Sequence, residues 1–477
     1  MAKEIQGNQI AKNVSISLFV QVVSLAVSFI LGFVVPKFID EYQYAYWHTF
    51  LLYLGYVGVL HFGLLDGIVL RYSQYDYEDL DKKRIRTQFV ALLLINTIAF
   101  IVVLAFGFKT GGLTEIIAIL VAFGILTRNI FTYNSFLFQI TNRIRNYAFA
   151  VIIQRLVNGL LVLVLIVIGQ QNFIWYCIAE LAGDCAGIAS SLSANKDLHF
   201  GRLLPIRDVI QETWLNISSG ALLMISNWSA MLFVSGAKMI IEWKWGILLF
   251  GKTSFAFSLS GIFLVFVTAI SVVLFPSLKR MKQETLPSFY KKLRDVLFPL
   301  LFWCLLFYYP SCWILEKWLP NYASSLAYVG ILSPMVIYTA NVGLLTNNYL
   351  KAYRKERLLL IINVFAVLFA ACLYCLCAYW LENFTAMLLS VVLVLALRSV
   401  VSELFVMKLI QIEFRKEFVF EFVLTIMFLV STQYFSRLVG FFFYLACLLF
   451  YSYVHRDSIR AIGFQLQSIV MRRKRFR

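Results

Sequence analysis

The stretch VVPKFIDEYQYAYWHTFLLYLGYVGVLHFGLLDGIVLRY, residues 34–72, decides how the rest of the chain is read. One apolar run ends in it, a short aromatic-rich turn follows, and a second apolar run closes on Asp66 and Arg71. An apolar run of about 18 residues or more is long enough to cross a bilayer as a helix. A carboxylate inside such a run is costly, which makes Asp66 a candidate functional group. Arg71 and the charged residues after it mark the return to water. A stretch of the same design recurs at 234–261, VSGAKMIIEWKWGILLFGKTSFAFSLSG, with Trp243 and Trp245 as anchors and Lys252 inside the new span. Aligned on Trp47 and Trp245, the two stretches lie about two hundred residues apart, the weak repeat expected of duplicated membrane bundles.

Composition fits this reading. The chain has 477 residues, 61% of them hydrophobic and 14% charged, with a mean hydropathy of +0.80. A chain so apolar is a polytopic membrane protein. The net charge of +17 suggests nucleic acid at first sight, but no loop exceeds about 20 residues, so no soluble domain carries a basic face. Lys3, Glu4 and Lys12 precede the first span without an A-x-A cleavage pattern, so it is read as a retained helix and not as a signal peptide. The eight cysteines lie in apolar stretches, and no His or acid accompanies the CLYC run at 372–375, so they are read as buried thiols and not as metal ligands. GILLFGKT at 246–253 has the Walker spacing but opens an apolar helix, without the strand and aqueous turn that a phosphate loop needs.

Fourteen spans are predicted: 13–35, 44–70, 87–108, 113–133, 147–168, 173–193, 214–236, 245–275, 296–315, 326–350, 358–380, 384–407, 418–435 and 438–454. The last two, separated by Ser436 and Arg437, read equally as a re-entrant hairpin. With the N-terminus in the cytoplasm, about 33 of the 42 Lys and Arg fall on the cytoplasmic side and about six on the other. Arg155, Lys252 and Arg398 remain inside spans. Both termini are therefore expected in the cytoplasm, with the basic run MRRKRFR touching anionic lipid and not nucleic acid.

The charges at depth are the candidate site. Glu180 and Asp184 lie about 11 and 17 Å into the sixth span, and their i,i+4 spacing puts both on one face. They are expected to share a proton, bind a cation or meet Arg155 of the preceding helix. Lys252 and Arg398 have no acid at i±3 or i±4 and need a partner on another helix or a polar cavity; Lys252 also lies close enough to the outer edge to snorkel. A cavity holding Arg155, Lys252 and Arg398 attracts an anionic head group such as a pyrophosphate. Asp66 and Arg71 point about 140° apart and form no intrahelical pair. His61 is expected to donate to a neighbouring helix, and Glu403 and Glu421 to sit hydrated near the inner surface. Gln21, Asn216, Asn227 and Trp228 fall in the first and seventh spans, the first helix of each half, where they line a shared face.

The chain resembles the lipid-linked oligosaccharide flippases, the O-antigen and polysaccharide exporters of the multidrug/oligosaccharidyl-lipid/polysaccharide (MOP) superfamily. The resemblance rests on the polar-led first span AKNVSISLFVQVVSLAVSFILGFVVPKFI (11–39), the close FGLLDGIVLRYS (62–73) and the exit VVLFPSLKRM (272–281). It implies an all-α fold of two pseudo-symmetric six-helix lobes, 1–199 and 200–410, forming a V open alternately to each side. An appended helix pair, 411–455, and a basic tail, 456–477, follow. The cargo would be an undecaprenyl-pyrophosphate-linked oligosaccharide moved across a bacterial cytoplasmic membrane. By the same resemblance, Arg155, Lys252 and Arg398, with Gln21, Asn216 and Asn227, would hold substrate. Asp66, Glu180 and Asp184 would couple to an H+ or Na+ gradient with no other cofactor, in a monomer working beside polysaccharide polymerase or assembly proteins. A drug/cation antiporter of the same superfamily shares the fold but calls for an acidic cavity. A membrane-embedded polymerase or acyltransferase calls for a long outer loop or a buried His-Asp set, and neither is present, so no enzymatic activity is expected.

Overall fold

The computed structural model describes residues 2–281, 283–412 and 417–454, and it is helical with no strand among them. α1 (Ala2–Phe29) passes through a π-helical stretch, Ile30–Val34, into α2 (Val35–Phe38). α3 (Glu41–Tyr56) opens on Asp40, whose carboxylate accepts the N–H groups of Tyr42 and Gln43 and satisfies the orphan donors of the first turn. A 3-10 turn, Val57–His61, leads to α4 (Leu64–Tyr72). Between them Phe62 and Gly63 both have positive φ, 52° and 85°, and the two halves bend by 58°. The second span is thus broken, where the sequence suggested one continuous helix.

α5 (Lys82–Gly107) starts on Asp81, which caps Lys83 and Arg84, and α6 (Gly112–Ile140), α7 (Ile144–Val167) and α8 (Phe173–Ala194) follow, with α9 (Lys196–His199) as a short coda. α10 (Ile206–Trp245) is 40 residues long. α11 (Ile247–Arg280), α12 (Leu286–Leu305) and α13 (Tyr308–Trp318) come next. Pro334 sits between α14 (Ser325–Leu332) and α15 (Met335–Ala340), where the chain bends by 42°. A π-helical stretch, Asn341–Thr346, joins α15 to α16 (Asn347–Ala352). α17 (Glu356–Cys375), α18 (Phe384–Leu409), α19 (Glu417–Tyr434) and α20 (Arg437–Val454) complete the chain.

A helix lies over each of the fourteen expected stretches. Among the described residues nine helices are long and apolar enough to cross a membrane, or eleven if each bent pair counts as one span. α19 is among the shorter apolar helices, and α8 falls outside the count. Large apolar side chains face outward at helical spacing, as with Leu94, Ile98 and Ile101 on α5, the surface a lipid solvent calls for. The protein is a multi-pass membrane protein.

By packing the chain forms two compact units, one running through Ser254 and one from Phe255 onward. In the first, α8 packs along α7 and α6, α5 along α6, and α1 along α7. Gly183 lets α8 approach α7, since a Cβ there would lie 2.8 Å from the Gln154 carbonyl oxygen. The same unit takes in α10, which packs on α4 and α5. The six-helix division at 199/200 therefore stands as a proposal about internal symmetry. In the second unit, α18 is packed by α14, α15 and α17, around a core that includes Tyr290, Phe302, Phe428 and Tyr444. The basic tail lies outside the described residues.

Candidate functional site

Among the described residues, three polar centres gather charged side chains between helices, two in the first unit and one in the second. The first is built on α6, α7 and α8. Glu180 and Asp184 are one turn apart on α8 and both buried, Asp184 completely. Their cation is Arg128 of α6: one guanidinium nitrogen donates to Glu180 Oε1 at 2.6 Å and Nε stands 3.0 Å from Asp184 Oδ2. From α7, Gln154 donates to Asp184 at 2.7 Å and Asn158 donates to Glu180. Arg155, the expected partner, is half-buried on α7 and forms no ion pair with either acid. Gln154 and Asn158 contact the acids from α7, and Arg155, about 100° round the helix from Gln154, acts on Asp184 through its charge without contact.

The second centre joins the broken second span to α10. Arg71 Nη1 donates to Glu212 Oε1 at 2.7 Å and to Asn216 Oδ1 at 2.6 Å, and the Tyr72 hydroxyl also donates to Glu212. Asn227 approaches Asp66 at 3.5 Å. The pairing runs the length of both elements: Tyr53 with Glu242 at 3.4 Å, Tyr56 edge-on to Trp228 with ring centroids 5.5 Å apart, then Asp66 with Asn227 and Arg71 with Glu212. His61 does not donate to a neighbouring helix. Its Nδ1 accepts the Gly63 N–H at 3.2 Å and so caps the break in its own span. In the same unit Lys252 has found its partner on another helix, Glu41, at 3.6 Å, and Gln21 is half-buried on α1.

The third centre is in the second unit. Arg294 of α12 is 2% exposed and bridges Glu403 of α18 and Glu421 of α19, with Nη1 2.8 Å from Glu421 Oε1. Asn341, where the π-helical stretch begins, donates to Ser399 at 2.7 Å and to Glu403 at 3.0 Å. Glu403 and Glu421 are buried at 0% and 3%, not hydrated at the inner surface as expected; Arg294 bridges them and offsets one of the two charges, and Asn341 adds a hydrogen bond to Glu403. Nearby on α18, Arg398 is 6% exposed and donates from Nε to Asn363 of α17 at 3.0 Å.

Of the residues read from sequence, Glu180 with Asp184, and Asp66 with Asn227, are brought together within the first unit. Asn216 accepts from Arg71, while Arg398 belongs to the second unit. Arg128, Arg294, Glu212 and Asn158 were missed. The charge tally counts Arg128 with the cytoplasmic loop although it falls within the expected span 113–133, and Arg294 with the loop ahead of the expected span at 296; each lies inside its helix. No group of three or more His, Cys, Asp or Glu able to hold a metal occurs among the described residues.

No protein-family model matches the chain, and no curated protein sequence does. Solved structures do. The lipid II flippase MurJ in an inward closed conformation superposes with a TM-score of 0.64 at 14% identity, covering 94% of this chain and 100% of that one. An inward-facing multidrug resistance MATE transporter of the MOP superfamily gives 0.63 at 12% identity, covering 82% and 94%. A MOP superfamily transporter from Pyrococcus furiosus gives 0.54 at 13% identity, covering 84% and 96%. These superpositions, over 82–94% of the chain, lead to one structural conclusion: the chain has the fold of the MOP-superfamily transporters.

Proposed function

We propose that this chain is a flippase that moves a lipid-linked oligosaccharide, of the undecaprenyl-pyrophosphate type, from the inner to the outer leaflet of a bacterial cytoplasmic membrane by alternating access. The observation that carries the reading is the likeness to the lipid II flippase over 94% of this chain. Buried cationic groups support it. Arg398 keeps a guanidinium deep in the second unit, and a charge at that depth is retained where it meets an anion or a polar cavity. Within the first unit, half-buried Arg155 and Lys252, the latter paired with Glu41, are assigned as anion contacts in their own right, with Gln21, Asn216 and Asn227 as neutral donors. Coupling to an H+ or Na+ gradient is assigned to Asp66, Glu180 and Asp184.

A drug/cation antiporter is the second reading, favoured by the MATE likeness and by the carboxylates of α8. Arg128 standing between those carboxylates weighs against it, because a cationic drug would have to displace a guanidinium. Reconstitution decides between the two. Vesicles holding the protein are expected to move undecaprenyl-pyrophosphate oligosaccharides across the bilayer and to leave an organic cation such as ethidium where it is. Ethidium exchange for protons, with no lipid movement, would overturn the flippase reading.

A further inference from the structure

The Arg294 centre of the second unit does not balance. Two carboxylates, Glu403 and Glu421, meet one guanidinium, and no side chain of the three is more than 5% exposed. Arg294 commits Nη1 and Nη2 to the two oxygens of Glu421, at 2.8 and 2.9 Å, and reaches Glu403 through Nε alone. One negative charge is left over, on the Glu403 side. Of the other cations on α12 and α18, Lys291, Lys292 and Lys408 are exposed, and Arg398 donates to Asn363. A charge so deeply buried is kept where a counter-charge or a metal ion meets it.

The surroundings of Glu403 supply oxygen. Asn341 is 0% exposed; its amide nitrogen donates to Ser399 Oγ at 2.7 Å and to Glu403 Oε2 at 3.0 Å. Its Oδ1 makes no hydrogen bond among the described residues. Tyr290, 1% exposed, faces Glu403 with a hydroxyl that likewise makes none. Asn341 also opens the π-helical stretch Asn341–Thr346, and π turns within α-helices recur at functional sites. Turning the Asn341 amide over replaces its N–H donors by Oδ1 beside Ser399 and Glu403. One carboxylate and three neutral oxygens then converge, a donor set with too little charge for calcium or magnesium and suited to a small alkali cation.

We propose that the second unit binds one sodium ion among Glu403, Asn341, Ser399 and Tyr290, and that this ion balances the charge Arg294 leaves over. The site is separate from Asp66, Glu180 and Asp184 of the first unit. Its test contains no cargo, so it stands or falls apart from the flippase reading.

The full chain, purified in detergent, is heated in sodium chloride and in choline chloride of equal ionic strength. Sodium is expected to raise the unfolding midpoint, because an ion that binds only the folded protein stabilises it. Glu403→Gln leaves Arg294 matched one to one by Glu421, so this variant is expected to fold and to lose the sodium shift. Ser399→Ala removes one oxygen and no charge; it should raise the sodium concentration at half the shift at least about tenfold. Asp66→Asn and, separately, Glu180→Gln should keep the shift. A shift that survives both Glu403→Gln and Ser399→Ala, or that disappears with either acid of the first unit, places the ion elsewhere. A wild-type midpoint that answers to pH and not to sodium gives the leftover charge to a proton. Each of these results would end the proposal.

Discussion

At the scale of single residues, Arg128 carries the clearest prediction. Removing it leaves two carboxylates buried against each other, and breaking a buried pair of this sort costs about 3–5 kcal/mol. Arg128→Ala is therefore expected to lower the unfolding midpoint in detergent sharply, while Arg155→Ala changes it little. Neither role could be read from the sequence, and the reason is geometric. Arg294 reads as a loop residue when the apolar run is judged to begin at Val296, whereas α12 begins at Leu286. Arg128 lies five residues before the expected end of its span at Tyr133 and is counted with the loop that follows, whereas α6 continues to Ile140 and keeps it well inside the helix. The acids were legible, because Glu180 and Asp184 interrupt an otherwise apolar run. His199 supplies a pH prediction outside the membrane. Burial against Phe89 and Tyr133 lowers its affinity for protons, against the opposing pull of the Asn195 carbonyl and Asp197. The unfolded imidazole takes a proton near pH 6.5 and the folded one only lower, so this contribution to stability is present above about pH 6.5 and is lost as pH falls below it. His199→Gln should flatten the acid limb of a stability-against-pH curve.

At the scale of elements, the number of apolar stretches was legible and their continuity was not. The second and tenth spans break, one at a pair of left-handed residues and one at Pro334, and both breaks answer to packing partners that periodicity does not report. Pro334 is a local cause of the second of these, one that reading 326–350 as a single span passed over, while the first turns on the left-handed Phe62 and Gly63. The last two helices, readable either as spans or as a re-entrant hairpin, are 18 residues each. Their contact is close at Gly440, where a Cβ would meet the Ser431 carbonyl oxygen at 2.6 Å and the Tyr309 ring at 3.1 Å. Gly440→Val is expected to pry α20 from α19 at a loss of about 1–3 kcal/mol, measurable as faster proteolysis of the 435–437 turn with the earlier helices unaffected.

At the scale of the whole molecule, the asymmetry of Lys and Arg predicts an orientation that reporter fusions check directly. Alkaline phosphatase fused after Lys109 is expected to be active and the same fusion after Arg143 inactive; the reverse result would invert every span. For transport, Arg398→Ala is expected to abolish movement of lipid-linked oligosaccharide in vesicles with insertion intact. Neutralising both Glu180 and Asp184 to amides should leave residual movement that no longer responds to an ion gradient. The multi-pass helical class was readable because its signal, apolar runs separated by short basic loops, is additive along the chain, and the likeness to the superfamily came from stretches such as 11–39, 62–73 and 272–281. The polar centres depend on which helices touch, so they were not. α10 has one more property that follows from its 40 residues. At 1.5 Å per residue such a rod is about 60 Å long, twice the roughly 30 Å of hydrocarbon it crosses. A tilt of about 10° around its middle would sweep each tip through roughly 5 Å, so a rod of this length has the reach of a lever, able to carry a lean at one membrane face to the other with no relay of side chains in between.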